Sequence, residues 1–277
     1  MPEVTRAAVI QHCATPDVDA NLDTVERLVA EAARAGAGVV LLAEAFAFLG
    51  PERDKAAVLE PLPDDPAAAG HILGRCMALA RRNRCHLVLG GFHEASPEPE
   101  RSFNTCVHLT PDGRITARYR KMHLFDVSLA DGTVLRESAR TLPGDTLVTT
   151  QMPFGTLGLS ICYDLRFPYL YQGLVDRGAI ALTVPSAFTQ TTGAAHWHVL
   201  LRARAIECQS YVLAPAQHGH NWGTRHSYGH SLIIDPWGRI LAECADGDGF
   251  AVADIDPAEV ARVRRELPSL DHRRLLS

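Results

Sequence analysis

The sequence predicts an α/β protein in which a mixed β-sheet is covered by helices on its outer faces. Short apolar runs of strand length alternate with longer segments whose apolar residues recur at helical spacing. Two pairs of strand-like runs are instead joined by short turns rich in Pro, Asp and Gly. Strands separated by helices favour parallel pairing, whereas strands joined by hairpins pair antiparallel, so both kinds of pairing are expected. No linker, low-complexity tract or repeat divides the chain, and we predict a single domain over residues 1–277.

The first half of the chain begins as a β-α unit. An apolar run at residues 7–10 predicts a buried strand, and apolar residues from Leu22 to Ala32 then recur at helical spacing. A second apolar strand ends just before Glu44, and a hairpin turn is centred on Asp112. The predicted elements of this half are the strands 7–10, 39–42 and 86–90, the helix 67–82, and two strand-like runs between Thr105 and Tyr119.

The second half repeats strand and helix in alternation. One strand runs directly into Cys162, and Pro168 suits the first turn of the helix predicted after Phe167. A hairpin turn at residues 235–238 joins two strands near the C-terminus. The predicted elements of this half are the strands 156–161, 180–184, 211–216, 231–234 and 239–243, the helix after Phe167, and the helix 196–208.

Composition and charge exclude several classes of protein. Apolar residues make up 47% of the chain and charged residues 21%, which is typical of a globular enzyme. The net charge is -5 and no basic stripe stands out, so we predict no nucleic-acid partner. No apolar run reaches the roughly 18 residues that cross a bilayer, and the charge pattern of the N-terminus is unlike that of a signal peptide. We therefore predict no membrane partner and a cytoplasmic location.

The seven cysteines argue against a disulfide framework or a zinc ribbon. They are odd in number, widely scattered and contain no C-x-x-C pair. Most are expected to be buried, reduced and inert.

Cys162 lies where an apolar strand stops and a helix is expected to begin. A helix N-terminus favours the thiolate through its free N–H groups and positive dipole end, so this position is expected to lower the thiol pKa. Asp164 is a candidate cap for that helix. For this segment taken alone, a structural cysteine at a strand end remains an equal alternative.

Glu44 ends another apolar strand and is followed by Phe46 and Phe48. A carboxylate among apolar residues loses hydration, so its pKa is expected to rise and the group can act as a base near neutral pH. A capping or salt-bridged glutamate is the alternative for an isolated residue of this kind.

Lys121 interrupts an aromatic stretch that follows a predicted strand. A fixed ammonium in a water-poor site can stabilise an anionic tetrahedral oxygen. Glu137 is a further carboxylate that could hold Lys121 charged and oriented, or merely occupy a surface loop. Surface lysines are common, so this signal is weak by itself.

Histidines are dense between residues 196 and 230. The pairs His196-x-His198 and His218-x-His220 suggest zinc, yet no carboxylate or cysteine pattern completes a recognised ligand set. A Cys-His dyad is the other use of these residues, and spacing alone does not exclude it. The histidines of this segment are His196, His198, His218, His220, His226 and His230.

Taken together, the Glu44, Lys121 and Cys162 segments resemble the Glu-Lys-Cys triad of the nitrilase, or carbon-nitrogen hydrolase, superfamily. The matching motifs are Leu-Leu-Ala before Glu44, Arg-Lys-Met-His-Leu-Phe-Asp around Lys121, and Ile-Cys-Tyr-Asp-Leu-Arg-Phe-Pro around Cys162. Their order and spacing match too, and the resemblance extends from about Arg6 to Arg274. It implies an α/β fold of the nitrilase type, an α-β-β-α four-layer sandwich with mixed sheets. Such domains usually pair across their helices, so a homodimer or higher homo-oligomer is expected.

Within the superfamily the sequence is more similar to the amidase branches than to the true nitrilases, because Tyr163-Asp164 follows the cysteine where nitrilases tend to carry Trp-Glu. Residues 185–207, 227–231 and 272–274 look like the deaminated glutathione amidases, and the omega-amidases share much of this pattern. Two departures are Ala43, in place of the usual proline, and Leu165, in place of a frequent methionine. Neither removes a reacting group.

The resemblance implies double displacement on a small α-keto acid amide, with no metal and no organic cofactor. Glu44 takes the Cys162 proton, and the thiolate attacks the carbonyl to give a thioester. Lys121 and the backbone N–H of Tyr163 stabilise the oxyanion, while Glu137 looks like the family's second glutamate.

The substrate contacts that the resemblance implies are four further residues. Arg166, Thr189 and Thr192 are expected to meet carboxylate or carbonyl oxygens, and Phe188 to shape a wall. The expected partner is a small-molecule amide substrate. A catalytically idle scaffold or binding protein of the same fold is the alternative of a different class, and the intact reacting groups argue against it.

Overall fold

The computed structural model describes residues 2–98, 100–128 and 134–274. Within these ranges, two six-stranded sheets and two short strand pairs form. In chain order the strands are β1 (Thr5–Gln11), β2 (Val39–Leu41), β3 (His86–Ala95), β4 (Ser102–Leu109), β5 (Ile115–Arg120), β6 (Asp126–Ser128), β7 (Val134–Arg136), β8 (Thr149–Met152), β9 (Gly155–Gly158), β10 (Ala181–Thr183), β11 (Tyr211–Ala214), β12 (His218–Trp222), β13 (Arg225–Tyr228), β14 (Leu232–Ile234), β15 (Ile240–Glu243) and β16 (Gly249–Ile255).

Each large sheet has three parallel strands flanked by antiparallel ones. The first sheet has the order β16-β1-β2-β3-β4-β5 and the second the order β15-β14-β11-β10-β9-β8. Parallel pairing joins β1 to β2, β2 to β3, β9 to β10 and β10 to β11. The prediction of a mixed arrangement is confirmed, but it is divided between two sheets.

Helices cover the outer face of each sheet. α1 begins after Asp17, whose side chain accepts a hydrogen bond from the N–H of Ala20. α2 begins at His71 rather than at residue 67, because the Glu60 carboxylate accepts hydrogen bonds from two N–H groups of its first turn. The helices are α1 (Val18–Arg34), α2 (His71–Asn83), α3 (Pro168–Asp176), α4 (Gln190–Cys208) and α5 (Pro257–Glu266).

Two apolar cores define four layers in the order α-β-β-α. One core joins α1 and α2 to one face of the first sheet, through side chains such as Val25, Leu73 and Val40. The other contains the opposite face of the first sheet, the second sheet, and α3 and α4. Alternate residues of β2 enter different cores because successive side chains of a strand point to opposite faces. The predicted four-layer sandwich is confirmed.

The C-terminal part was incompletely predicted. β16 and α5 were missed, and β16 pairs with β1 from the opposite end of the chain. Strands β12 and β13 were also missed, because this hairpin is rich in His, Gly and Asn rather than in β-branched residues. Across the described part of the chain, no helix combines the length and apolar character needed to cross a membrane.

Candidate active site

A cavity of about 940 Å³ opens where the ends of strands from both sheets meet. This volume lies within the roughly 300–1,000 Å³ typical of small-molecule sites. All nine residues that the sequence predicted for catalysis or substrate binding line it: Glu44, Lys121, Glu137, Cys162, Tyr163, Arg166, Phe188, Thr189 and Thr192.

Cys162 occupies a sharp bend after β9. Its φ of 47° is in the left-handed region, and its N–H donates to the carbonyl of Pro185 at 2.9 Å. A non-glycine residue in this region signals strain that the surrounding structure must hold. Cys162 then opens a 3-10 turn, Cys162–Arg166, that precedes α3. The helix predicted after Phe167 is confirmed as α3, which begins at Pro168, and the 3-10 turn separates Cys162 from its N-terminus.

Asp164 holds this bend in place. Its carboxylate is fully buried and accepts hydrogen bonds from the N–H of Ile161 at 2.9 Å and the hydroxyl of Tyr119 at 2.7 Å. It also accepts from the N–H of His123 at 3.1 Å and contacts the Nδ1 atom of that ring at 2.7 Å. Asp164 thus fastens the turn that carries Cys162 to the segment that carries Lys121, which is more than the capping role expected for it.

Glu44 follows β2 and is held from three sides. Its Oε1 atom accepts from Asn104 at 2.9 Å and from the Nζ atom of Lys121 at 3.0 Å. Its Oε2 atom accepts from the N–H of Ala187 at 2.9 Å. Cys162 lines the same cavity as this carboxylate. Glu44 is therefore fixed in one orientation beside the thiol.

Lys121 lies between two carboxylates. Its Nζ atom is 3.0 Å from Oε1 of Glu44 and 2.9 Å from Oε2 of Glu137, and only 2% of its side chain is exposed. Glu137 also accepts from the N–H of Phe125 at 2.6 Å, which ties it to the loop after Lys121. The structure thus supports the reading in which Glu137 orients Lys121 rather than the surface-loop alternative.

The charges of Glu44 and Lys121 depend on these contacts. Burial would raise the pKa of Glu44, but the Lys121 charge and the hydrogen bonds from Cys162, Lys121 and Asn104 outweigh it, so the pKa lies below its ordinary value. Burial would lower the pKa of Lys121, yet the charges of Glu137 and Glu44 raise it. The expectation of a raised pKa for Glu44 is therefore wrong, because a buried counter-charge stands beside it.

The pKa of the Cys162 thiol is shifted in the direction opposite to the one expected. Burial and the neighbouring Glu44 charge raise its pKa, although Lys121 and the Ala187 N–H act to lower it. The free site accordingly holds a thiol against an ionised carboxylate, not a preformed thiolate.

The walls of the cavity carry the predicted substrate contacts. The Arg166 guanidinium lies 5.9 Å from the centre of the Tyr163 ring and 5.5 Å from that of Phe188. The hydroxyls of Thr189 and Thr192 are 2.8 Å apart. Arg166 also contacts Nδ1 of His196 at 3.3 Å. The lining thus offers aromatic rings, a cationic group and two hydroxyls.

The histidines do not form a dyad with Cys162. His218 pairs with Asp248 at 2.7 Å, and His220 contacts the carbonyl of Gly223 at 2.7 Å. Among the hydrogen bonds of the described residues, none joins Cys162 to an imidazole. The Cys-His reading therefore has no geometric support here.

One group of side chains outside the cavity could hold a metal ion. His198, His230 and Glu243 place one ligand atom each within 4.8 Å of one another, and both rings already contact Oε1 of Glu243. Glu243 is the carboxylate that sequence spacing did not reveal. The group does not line the catalytic cavity.

Asn104 and Arg225 are among the polar residues of the cavity that sequence reasoning missed. Asn104, from β4, donates to Glu44, and Arg225 begins β13. A buried asparagine inside an apolar strand was the available signal for Asn104. No sequence signal marked Arg225, since the hairpin that carries it was not predicted.

The chain is similar to known proteins along nearly its whole length. A family model described as carbon-nitrogen hydrolase matches residues 6–265. A Synechocystis sp. (strain PCC 6803 / GT-S) protein named deaminated glutathione amidase is 44% identical over 270 residues, which cover 96% of this chain and 97% of that one. A Homo sapiens protein of the same name is 45% identical over 279 residues, covering 98% and 83%. The crystal structure of Saccharomyces cerevisiae Nit3, a member of branch 10 of the nitrilase superfamily, superposes with a TM-score of 0.85 at 30% identity, covering 96% and 95%.

Proposed function

The chain belongs to the carbon-nitrogen hydrolase family, and from this premise we propose that it is a cysteine-dependent amidase whose substrate is deaminated glutathione. The observation that carries the mechanism is that Glu44, Lys121 and Cys162 line one cavity, with the Lys121 ammonium 3.0 Å from the Glu44 carboxylate. A nucleophile that keeps its proton next to a fixed base is ready for transfer once substrate binds.

In the first step Glu44 accepts the Cys162 proton and the sulfur attacks the amide carbonyl carbon. The carbonyl π electrons move to oxygen, which becomes an oxyanion. The Lys121 ammonium, of whose side chain only 2% is exposed, provides a fixed positive charge for it. Tyr163 supplies a backbone N–H from the first turn after Cys162, where a helical turn leaves its donors without an internal acceptor.

Collapse of this intermediate breaks the C–N bond. Glu44 returns its proton to the departing nitrogen, the amine leaves, and the acyl group stays on sulfur as a thioester. Glu44 is then ionised again and accepts a proton from water as the water attacks the thioester. The second collapse releases the carboxylic acid, and the proton held by Glu44 restores the thiol.

Lys121 can act in both steps without losing its proton. The carboxylates of Glu44 and Glu137 raise its pKa, so it remains an ammonium throughout. Glu137 keeps a negative charge beside it during the interval in which Glu44 is protonated. We assign Glu137 the role of positioning Lys121.

The substrate assignment rests on the relatives and on the walls of the cavity. The Synechocystis and Homo sapiens relatives carry the name deaminated glutathione amidase. Deaminated glutathione presents an α-keto acid end, for which Arg166, Thr189 and Thr192 offer a cation and two hydroxyls. Phe188 and Tyr163 would pack against its carbon chain. The omega-amidase reaction on α-ketoglutaramate presents the same α-keto acid end and is the second candidate.

Product release from a panel of compounds tests this proposal. Wild-type protein is assayed with deaminated glutathione, α-ketoglutaramate, simple nitriles and N-carbamoyl compounds, and amine release is quantified. We expect the highest kcat/KM for deaminated glutathione and poor turnover of nitriles. A preference for α-ketoglutaramate would assign the omega-amidase activity, and no turnover of any compound would favour an idle scaffold.

We further propose a homodimer or higher homo-oligomer in the cytoplasm, formed through α3, α4 and the β14-β15 hairpin. Large apolar side chains are exposed on this side: Tyr169, Val199, Ile206, Trp237 and Leu241. Light scattering of the wild type and of Val199→Asp tests this, since a charge at the contact should reduce the molar mass.

A further inference from the structure

Arg225 lines the cavity but lacks the partners that the other cations of the site have. Its Nη2 atom donates a short hydrogen bond to the carbonyl of Ala187. Its Nε atom is inaccessible to solvent and has no hydrogen-bond partner among the described residues. A guanidinium presents five donors in a fixed fork, so most of this one's capacity is unused.

The electrostatic environment of Arg225 also lacks a bonded anion. Burial lowers the pKa of its guanidinium, and the more distant charges of Glu44 and Glu137 only partly offset this. An arginine stays protonated in proteins, so the group is a half-buried cation whose Nε is shielded from solvent. Such a charge is unfavourable until it is paired.

The four other described cations of the cavity lining all have partners, and Arg136 donates to two carbonyls and to the hydroxyl of Ser128. Lys121 is bonded to two carboxylates, Lys55 lies 3.8 Å from Glu52, and Arg166 contacts His196. Among the described cations of the lining, Arg225 is the one with a buried nitrogen, Nε, that has no hydrogen-bond partner.

Its position relative to Glu44 shows which end of the substrate it can reach. Arg225 is bonded to the carbonyl of Ala187, and the N–H of the same residue is bonded to Oε2 of Glu44. Glu44 gives its proton to the departing nitrogen in the proposed mechanism, so that nitrogen must lie on the Glu44 side. Arg166, by contrast, extends from the turn after Cys162. The two arginines thus enter the cavity from different segments.

We propose that Arg225 binds the carboxylate at the far end of the leaving group, which in deaminated glutathione is the glycine carboxylate of cysteinylglycine. This inference rests on the proposed function. Guanidinium and carboxylate pair in a bidentate geometry, which provides the partner that Nε lacks. Arg225 is accordingly a specificity-determining residue, because α-ketoglutaramate releases ammonia and offers no such carboxylate.

The test compares three substrates in the wild type, Arg225→Gln and Arg225→Lys. These are deaminated glutathione, its analogue with a carboxamide in place of the glycine carboxylate, and α-ketoglutaramate. We expect Arg225→Gln to lose at least tenfold more kcat/KM on deaminated glutathione than on either other compound, with partial recovery in Arg225→Lys. Lys55→Gln removes another positive charge of the lining and should leave the ratios between substrates as in the wild type.

Equal losses on all three substrates would overturn the assignment, since they would show that Arg225 acts only by supporting Ala187. A larger loss on α-ketoglutaramate would place Arg225 at the α-keto acid end instead. Calorimetry with Cys162→Ala, alone and combined with Arg225→Gln, reports binding of deaminated glutathione and its carboxamide without turnover. This binding measurement decides the role of Arg225 even if wild-type kinetics were to refute the proposed reaction. Equal binding of deaminated glutathione and its carboxamide to Cys162→Ala would refute the proposed carboxylate subsite.

Discussion

The Nζ atom of Lys121 lies 3.0 Å from Oε1 of Glu44, and 2% and 9% of these two side chains are exposed. The same ammonium lies 2.9 Å from Glu137. One buried cation therefore neutralises two carboxylates. Removal of the cation leaves both carboxylates without a counter-charge, whereas removal of one carboxylate leaves the ammonium still paired.

Lys121→Met should affect both activity and stability. We expect kcat to fall by about 10²–10³ or more, because a preplaced oxyanion partner is lost. The free energy of unfolding should drop by about 3–5 kcal/mol, since a buried charge pair is broken on one side. Steady-state kinetics and urea denaturation measure the two effects. Lys55→Met is the matched control, and a variant with wild-type kcat would remove Lys121 from the mechanism.

Cys162→Ala should abolish turnover, because no other group can form the thioester. Mass spectrometry of the wild type during turnover should find an acyl adduct on Cys162. Cys76→Ala and Cys208→Ala, which remove buried thiols from the cores, should keep most of the activity. Turnover that persists in Cys162→Ala would refute the proposed nucleophile.

The pH dependence of kcat/KM should distinguish a carboxylate base from an imidazole. The pKa of Glu44 lies below its ordinary value near 4.5, so the base stays ionised until the pH falls through that lower value. We expect kcat/KM to fall only at acid pH, as Glu44 becomes protonated. Lys121→Met should move this acid limb of the pH profile to higher pH. A limb near pH 6.5 that disappears in His218→Ala would instead indicate a histidine base.

His108 should make stability depend on pH. Burial, with a contribution from His86, lowers the pKa of His108 from 6.5 to about 3. Between those values the unfolded chain binds a proton that the folded protein does not. The contribution of neutral His108 to the free energy of unfolding is therefore fully present above pH 6.5. It declines by about 1.4 kcal/mol per pH unit as the pH falls toward 3.

Urea denaturation of the wild type and His108→Gln at pH 7 and pH 5 measures this effect. The decrease in unfolding free energy from pH 7 to pH 5 should be smaller in the variant. His71→Gln, at an exposed position, controls for the general effect of replacing a histidine. Identical decreases in the wild type and His108→Gln would contradict the expectation.

Chelation should not change kcat/KM, because the proposed chemistry uses Glu44, Lys121 and Cys162 alone. The group formed by His198, His230 and Glu243 lies outside the cavity lining. Activity is compared before and after dialysis against EDTA, with zinc content measured in parallel. Loss of stoichiometric zinc together with activity would require a revised mechanism.

Sequence patterns by themselves determined the alternation of strands and helices through most of the chain and the positions of Glu44 and Cys162 after strands. These features depend on local periodicity, which a single chain carries in full. Lys121 was identified as a candidate catalytic residue only through the resemblance of three motifs to the family, because its own segment is a weak signal. The hairpin at β12-β13 was missed because its residues lack strand propensity, and Arg225 was missed with it.

The tertiary structure alone decided which groups meet and what charge they carry. Glu44 contacts Lys121 from 77 residues away and Ala187 from 143 residues away. The sequence reasoning placed Glu44 among apolar neighbours and predicted a raised pKa, whereas the buried ammonium lowers it. It placed Cys162 at a helix N-terminus and predicted a lowered pKa, whereas burial beside Glu44 raises it. A pKa reflects every charge and donor within a few ångströms, so its direction follows from contacts between distant segments that local patterns do not encode.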